Sequence, residues 1–384
     1  MTQRNRLLTI VALYLICLML VLISAGTGVT QTEKGQQILR AIPAPSLQNN
    51  LLGDGTKQAV VIYLPSSYGT STKEYPAVYF LPGFGDAVGS FVDGTYQGFR
   101  LQEAMDRLIN TETIKEMIAV IANGRNFLGG SFYVNSPVTG NWEDFIVKDV
   151  VGYVDSHYRT IKDARSRGIS GHSMGGFGAL NIAMRHPDVF SCVYALSPGL
   201  FDQNGLSNTP MFSHRDAINR YLTTDSSLAS VTNQEAKTKF SSMISELYHN
   251  DNWDQLFTYA YGSAFSPNPN KNAPYISYPY RKTNHSLIRD STIWKGWENG
   301  FGGITHKMEL YKTGLSKLHA ISIEFGRSDE NPWIPQGCQF FSQQLKKERI
   351  SYKLVTFNGG HQDKLRQRLE EYMLPFFSKN LASE

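Results

Sequence analysis

The sequence predicts an α/β fold: a mostly parallel sheet with helices on both faces, interrupted by a cap-like insertion. Three observations predict it. Short apolar runs that lack strict alternation recur, as in Pro76 to Leu81 and Met117 to Ala122, which is how strands buried on both faces read. Segments of helical spacing alternate with them. One polar, aromatic and loop-rich stretch, Phe201 to about Gly303, breaks the alternation before it resumes.

Each element follows from local chemistry. Ala59 to Leu64 reads as a strand ended by Pro65. In Phe145 to Tyr158, residues Phe145, Ile146, Val150, Val154 and Tyr158 fall on one helical face. Arg167 to Ser170 reads as a strand, and Phe177 to Met184 as a small-residue helix that stops near Pro187. Val193 to Leu196 is the next strand. Beyond the insertion come a helix at Met308 to Leu318, weakened by Gly314, and a strand at Ala320 to Phe325. A helix at Gln336 to Glu348, a strand at Ser351 to Phe357 and a last helix from about Gln362 to Leu381 complete the pattern. The insertion holds Asn- and Pro-rich pieces and Trp253, Trp294 and Trp297. It is expected over the carboxyl ends of the strands, where open α/β sheets bind ligands. Its tryptophans either stack on a ligand or form a small core of their own.

The 384 residues, 41% of them hydrophobic, suffice for a large single core. The formal net charge of +4, with no basic stripe, argues against nucleic-acid binding. Arg4 and Arg6 precede an uncharged apolar run, Leu7 to Ala25, with small residues after it. Residues 1–28 therefore read as a signal peptide or a retained membrane anchor, and the body as exported. Residues 29–46 read as a linker and 47–384 as the folded domain, with 201–303 as its cap. Of three cysteines, Cys17 lies in the apolar run. Cys192 reads as a core residue, and one disulfide to Cys338 stays open. No His/Cys cluster suggests a metal site.

Gly171-His-Ser-Met-Gly-Gly176 stands between the strand ending at Ser170 and the helix beginning at Phe177. Strand, Gly-x-Ser-x-Gly, helix is the context of a nucleophile elbow, in which glycines let strand and helix pass closely. A serine hydroxyl needs a base, and the base needs a carboxylate to fix its tautomer. In this architecture the chain order is Ser, acid, His. His361, in the turn after the Ser351 to Phe357 strand, follows both Ser173 and a candidate acid. Asp329 and Glu330 share the turn after Phe325 as candidate acids. The oxyanion donors are expected to be the backbone N–H of Met174 and that of Phe84, with Gly83 or Gly85 as alternatives in the same loop. His172 is expected to pack or hydrogen-bond under the elbow. No cofactor is expected.

These residues resemble the esterase D-like putative esterases of the α/β-hydrolase fold. That group includes S-formylglutathione hydrolases, feruloyl and acetyl xylan esterases of carbohydrate esterase family 1, and mycolyltransferases. The likeness rests on Tyr63 to Tyr68, Leu81 to Gly85, Gly130 to Asn135, Asn141 to Phe145, Asp155 to Arg159, Gly171 to Leu180, Gly326 to Asp329 and Gly359 to His361. It implies a triad of Ser173, Asp329 and His361. Asp329 fits the family's Gly-x-x-Asp, and Glu330 is the runner-up because the mycolyltransferases use Glu. Many relatives have His where this chain has Pro82. Tyr133 and Asn135 fall where relatives line the cleft, whereas Trp142 and Glu143 are expected to brace the loop. The resemblance implies a serine carboxylesterase working through an acyl-enzyme on a small-molecule or polysaccharide-linked ester. Acyl transfer with the same residues, and carbohydrate binding by an inactive relative, are the alternatives. Export disfavours a cytosolic formylglutathione role.

Overall fold

The computed structural model describes residues 34–283 and 286–383. The expected signal or anchor segment lies outside the described residues. Eight strands form one sheet: β1 (Gln36–Pro43), β2 (Lys57–Leu64), β3 (Ala77–Leu81), β4 (Ile118–Ala122), β5 (Arg167–His172), β6 (Cys192–Leu196), β7 (Ala320–Gly326) and β8 (Lys353–Phe357). Their spatial order is β1-β2-β4-β3-β5-β6-β7-β8. The β1–β2 and β2–β4 pairs are antiparallel, and the others are parallel.

Both faces of the sheet are covered, as the non-alternating strands predict. Along β2, Val60 and Ile62 join one apolar cluster while Val61 and Tyr63 join the other. The first cluster takes in Leu180 and Ile182 of α3 (Met174–Arg185); the second takes in Met105 and Leu108 of α1 (Leu101–Asn110). Between them lies α2 (Val151–His157), which ends one residue before Tyr158. Tyr158 is extended, so it does not share the helical face expected of it, and Phe145–Val150 ahead of α2 is a wider π turn.

The linker boundary needs correcting. Residues 36–43 are not linker but β1, paired with β2 along its full length. An edge strand facing water has no apolar signature, and here only Ile42 is buried. The insertion, expected to be loop-rich, is largely helical: α4 (Arg215–Ala229), α5 (Asn233–His249), α6 (Trp253–Phe265) and α7 (Ser291–Glu298). Trp294 and Trp297 are buried in it, whereas Trp253 is 38% exposed. Cys192 and Cys338 are both buried free thiols.

After the insertion come α8 (Ile304–Lys317), α9 (Trp333–Lys347) and α10 (Leu374–Asn380). Gly314 does not break α8. A side chain there would collide with the carbonyl of Met184 at the end of α3, so the glycine permits the close approach of the two helices. Gly→Ala inside a helix ordinarily stabilises by about 1 kcal/mol. Here Gly314→Ala is expected to destabilise by about 1–3 kcal/mol through overpacking. Urea unfolding measures this, and a gain in stability would show that α3 and α8 can part freely.

Candidate active site

The polypeptide reverses from β5 into α3 at Ser173. Its backbone sits at φ 57°, ψ −118°, a conformation that non-glycine residues seldom adopt. Three backbone bonds fix it. The Ser173 N–H donates to Leu196 O at 3.0 Å, and Ser173 O accepts from Phe177 N–H at 3.0 Å and Gly199 N–H at 3.2 Å. A side chain at Gly175 would run into the carbonyl of Leu81, and one at Gly171 into the backbone of Gly175. The flanking glycines are therefore required by close passage of β3, β5 and α3.

Ser173, Asp329 and His361 converge from the carboxyl ends of β5, β7 and β8. Ser173 Oγ lies 2.9 Å from His361 Nε2, and His361 Nδ1 lies 2.7 Å from Asp329 Oδ2. A carboxylate only accepts, so Nδ1 carries the proton and donates to Asp329. Nε2 is then free to accept the serine proton. The Asp329 side chain is fully buried, that of His361 13% exposed. Asp329 Oδ1 also accepts from Asn331 N–H at 2.9 Å. Glu330 is exposed and takes a different position: its Oε2 accepts the backbone N–H of His361 at 2.8 Å. That amide holds the Glu330 carboxyl below the ordinary carboxylate range. The two candidate acids thus separate, with Asp329 on the imidazole and Glu330 on the loop that carries it.

The loop after β3 leaves one amide unengaged. Gly85 N–H donates to Gly129 O at 2.9 Å, and the backbone of Gly83 hydrogen-bonds Asp86. Among the described residues, neither Phe84 N–H nor Met174 N–H has an acceptor. Of the three amides expected as the second donor, that of Phe84 is thus the one left without a protein acceptor. Burial pushes the Asp86 carboxyl up, against hydrogen bonds from Tyr96, Ser90 and Gly83 that pull it down. Asp86 Oδ2 accepts from Tyr96 Oη at 2.5 Å.

Tyr133 does not line a cleft, contrary to expectation. It is fully buried, and its hydroxyl donates to Pro82 O at 2.8 Å, bracing the loop from below. The missing side chains of Gly124 and Gly178 leave the room its ring fills. Asn135 is exposed, but it stands beside a separate cavity from Ser173, and its Oδ1 accepts Asp144 N–H at 3.1 Å. Trp142 and Glu143 are buried braces: Trp142 donates to Thr139 O at 2.8 Å, and Glu143 meets Arg185 at 2.9 Å and His186 at 2.8 Å. The insertion contributes Trp253 and Phe257, which sequence reasoning could not assign to the site. Phe257 packs against the Phe84 ring at 4.8 Å between centroids, and the Trp253 ring lies against Gly85.

His172 does hydrogen-bond under the elbow. Its Nε2 donates to His361 O at 2.9 Å, and its ring stacks at a tilt on that of His361, 4.6 Å away. Burial, with the neighbouring His361, pushes its pKa down to about 3. The folded state therefore resists protonation that the unfolded chain accepts near pH 6.5. Between these values unfolding takes up a proton, so stability rises with pH and is lost as pH falls from about 6.5 toward 3. His172→Gln is expected to reduce the slope of unfolding free energy between pH 4.5 and 6 by about 1.4 kcal/mol per pH unit. Denaturant titrations across that range measure it, and an unchanged slope would show that His172 is protonated in the fold.

Comparison with known proteins bears on the family and the fold. A family model described as "Putative esterase" matches residues 54–261, more than half of the chain. An esterase of Mycobacterium tuberculosis is 29% identical over 137 residues, 34% of this chain and 27% of the relative. An endo-1,4-beta-xylanase/feruloyl esterase of Xylanibacter ruminicola is 29% identical over 153 residues, 38% of this chain and 20% of the relative. The chain thus spans only about a quarter of these curated relatives. A solved structure of a ferulic acid esterase superposes with TM-score 0.57 at 20% identity, covering 91% of this chain and 99% of that one. That likeness carries the fold, which is the α/β-hydrolase fold. By its sequence the chain belongs to the putative esterase family.

Proposed function

We propose that the protein is an exported serine carboxylesterase acting through an acyl-enzyme. The observation that carries this is the unbroken hydrogen-bonded chain from Ser173 through His361 to Asp329. Ser173 Oγ attacks the ester carbonyl carbon while His361 Nε2 takes its proton. Asp329 keeps Nδ1 protonated and stabilises the imidazolium. The carbonyl oxygen becomes an oxyanion facing the amides of Phe84 and Met174. The tetrahedral intermediate collapses with cleavage of the ester C–O bond. His361 returns its proton to the leaving alcohol, and water, activated by the same imidazole, then releases the acid.

Export rests on Arg4, Arg6 and the apolar run that follows them. For the substrate we infer an acetyl or feruloyl ester on a polysaccharide. Two features support it: a curated relative that carries feruloyl esterase in its name, and the exposed Trp253 beside the oxyanion loop. A half-exposed indole offers a face on which an aromatic acyl group or a sugar ring can stack.

Ser173→Ala is expected to cut kcat/KM on p-nitrophenyl acetate by at least about three orders of magnitude and to abolish fluorophosphonate labelling. Near-normal turnover in that variant would sink the assignment. Asp329→Asn is expected to lose about a hundred-fold or more, and Glu330→Gln less than about ten-fold, since the amide oxygen still accepts His361 N–H. Equal losses would move the acid role to Glu330. Trp253→Ala is expected to lower kcat/KM for a feruloyl ester about three- to ten-fold relative to the acetyl ester, the scale of one aromatic contact. An unchanged ratio would remove Trp253 from the binding surface.

A further inference from the structure

A cavity of about 380 Å³ lies along the outer face of α3, walled by that helix, the 134–143 segment, α6, α7 and α8. None of Ser173, Asp329 and His361 lines it. Its volume falls in the range of small-molecule sites. Two features of its lining suit a charged, polar ligand. Asn181 is only 7% exposed and lines the cavity, so its side-chain amide is reached from there. The second feature is charge. Arg185 is matched by Glu143, which His186 shares. Lys307 has no carboxylate in ion-pair range among the described residues. Its ammonium donates to the carbonyls of Gly300 and Gly302 and faces the Phe177 ring, 5.3 Å from the centroid. Burial, with the neighbouring Arg185, pushes the Lys307 pKa down to about 7, and an anion placed beside it would hold it protonated. Glu143 is the one carboxylate among the lining residues, which also include the rings of Phe177 and Phe265 and the hydroxyl-bearing Tyr311.

We propose that this cavity is a second binding site, separate from the serine centre, for a carboxylate-bearing sugar of the uronic acid type. The carboxylate supplies the counter-charge missing opposite Lys307. The ring hydroxyls engage the Asn181 amide, which both donates and accepts. The ring body lies on Phe265 and Tyr311. On a polymeric substrate such a site would hold an acidic sugar unit while another part of the chain meets Ser173.

Calorimetric titration of the protein with sodium glucuronate and, separately, with glucose tests this. Saturable binding of glucuronate is expected, with glucose at least about ten-fold weaker. Asn181→Leu and Lys307→Met should each weaken glucuronate about ten-fold or more, while Asn181→Leu keeps p-nitrophenyl acetate hydrolysis within about two-fold. Equal affinity for glucose, no binding at millimolar glucuronate, or affinity unchanged by Asn181→Leu would overturn the proposal. So would competitive inhibition of ester hydrolysis by glucuronate, which would put the sugar at Ser173. Should Lys307→Met fail to fold, Asn181→Leu decides alone. The serine reading is read out independently, by hydrolysis in Ser173→Ala.

Discussion

Gly175 passes the carbonyl of Leu81 so closely that no side chain could stand between them. The arrangement of the site depends on that approach. It brings the last residue of β3 against the first turn of α3, and so sets the distance between the loop carrying Phe84 and the amide of Met174. The same approach forces the reversal at Ser173 into a strained backbone. That strain persists because Leu196 O and Gly199 N–H over-determine the turn from the neighbouring strand β6. The cost is met by the many buried apolar contacts of α3 on the sheet, which a loop could not supply.

A second set of contacts ties His361 to the loop after β3. Asp86 takes hydrogen bonds from Tyr96 and the backbone of Gly83. Tyr96 meets His172 edge-on, at 5.9 Å between ring centroids, and His172 donates to the carbonyl of His361. Glu330 accepts the amide of the same residue. The backbone of His361 is thus held at both its N–H and its C=O, which leaves its imidazole to Ser173 and Asp329. A neutral His172 suits this position. A cation there would sit 4.6 Å from the ring that, on the proposed mechanism, would itself become positively charged.

The sheet and the convergence of Ser173, Asp329 and His361 were legible in the sequence because their signals are local. Apolar runs mark buried strands, and turn residues follow them at fixed offsets. What escaped reading had no such signal. β1 is polar because it is an edge, so it resembles a tether. The insertion helices are rich in Asn, Ser and Thr, which hides their periodicity. One sign was readable: Thr232 and Glu235 form a capping box ahead of α5, and Ala236, Phe240, Ile244 and Leu247 repeat on its buried face. Tyr133 was misassigned because an aromatic residue in a loop looks the same whether its ring faces a cleft or fills the space left by Gly124 and Gly178. Trp253 was distinguishable from Trp294 and Trp297 only by exposure, a property of the packed insertion.

On the proposed mechanism, the division of labour between sheet and insertion bears on what an acyl-enzyme would react with. Strand ends and the turns after them hold Ser173, His361, Asp329 and the amides of Phe84 and Met174, and such groups would serve any acceptor hydroxyl equally well. The choice between water and a sugar hydroxyl therefore falls to whatever shapes the space in front of Ser173. Here that is Phe257 and Trp253 of α6, packed against Phe84 and Gly85. These rings cover one flank of the loop after β3, and on the proposed mechanism that cover would strengthen amide hydrogen bonds to an oxyanion. Trp253 nevertheless remains partly open to solvent. Ser173 and His361 also keep some exposure. An acyl group lying against α6 would thus leave the imidazole side accessible to water. On the proposed mechanism that would favour hydrolysis over transfer, because transfer requires the acceptor to be bound where water otherwise enters.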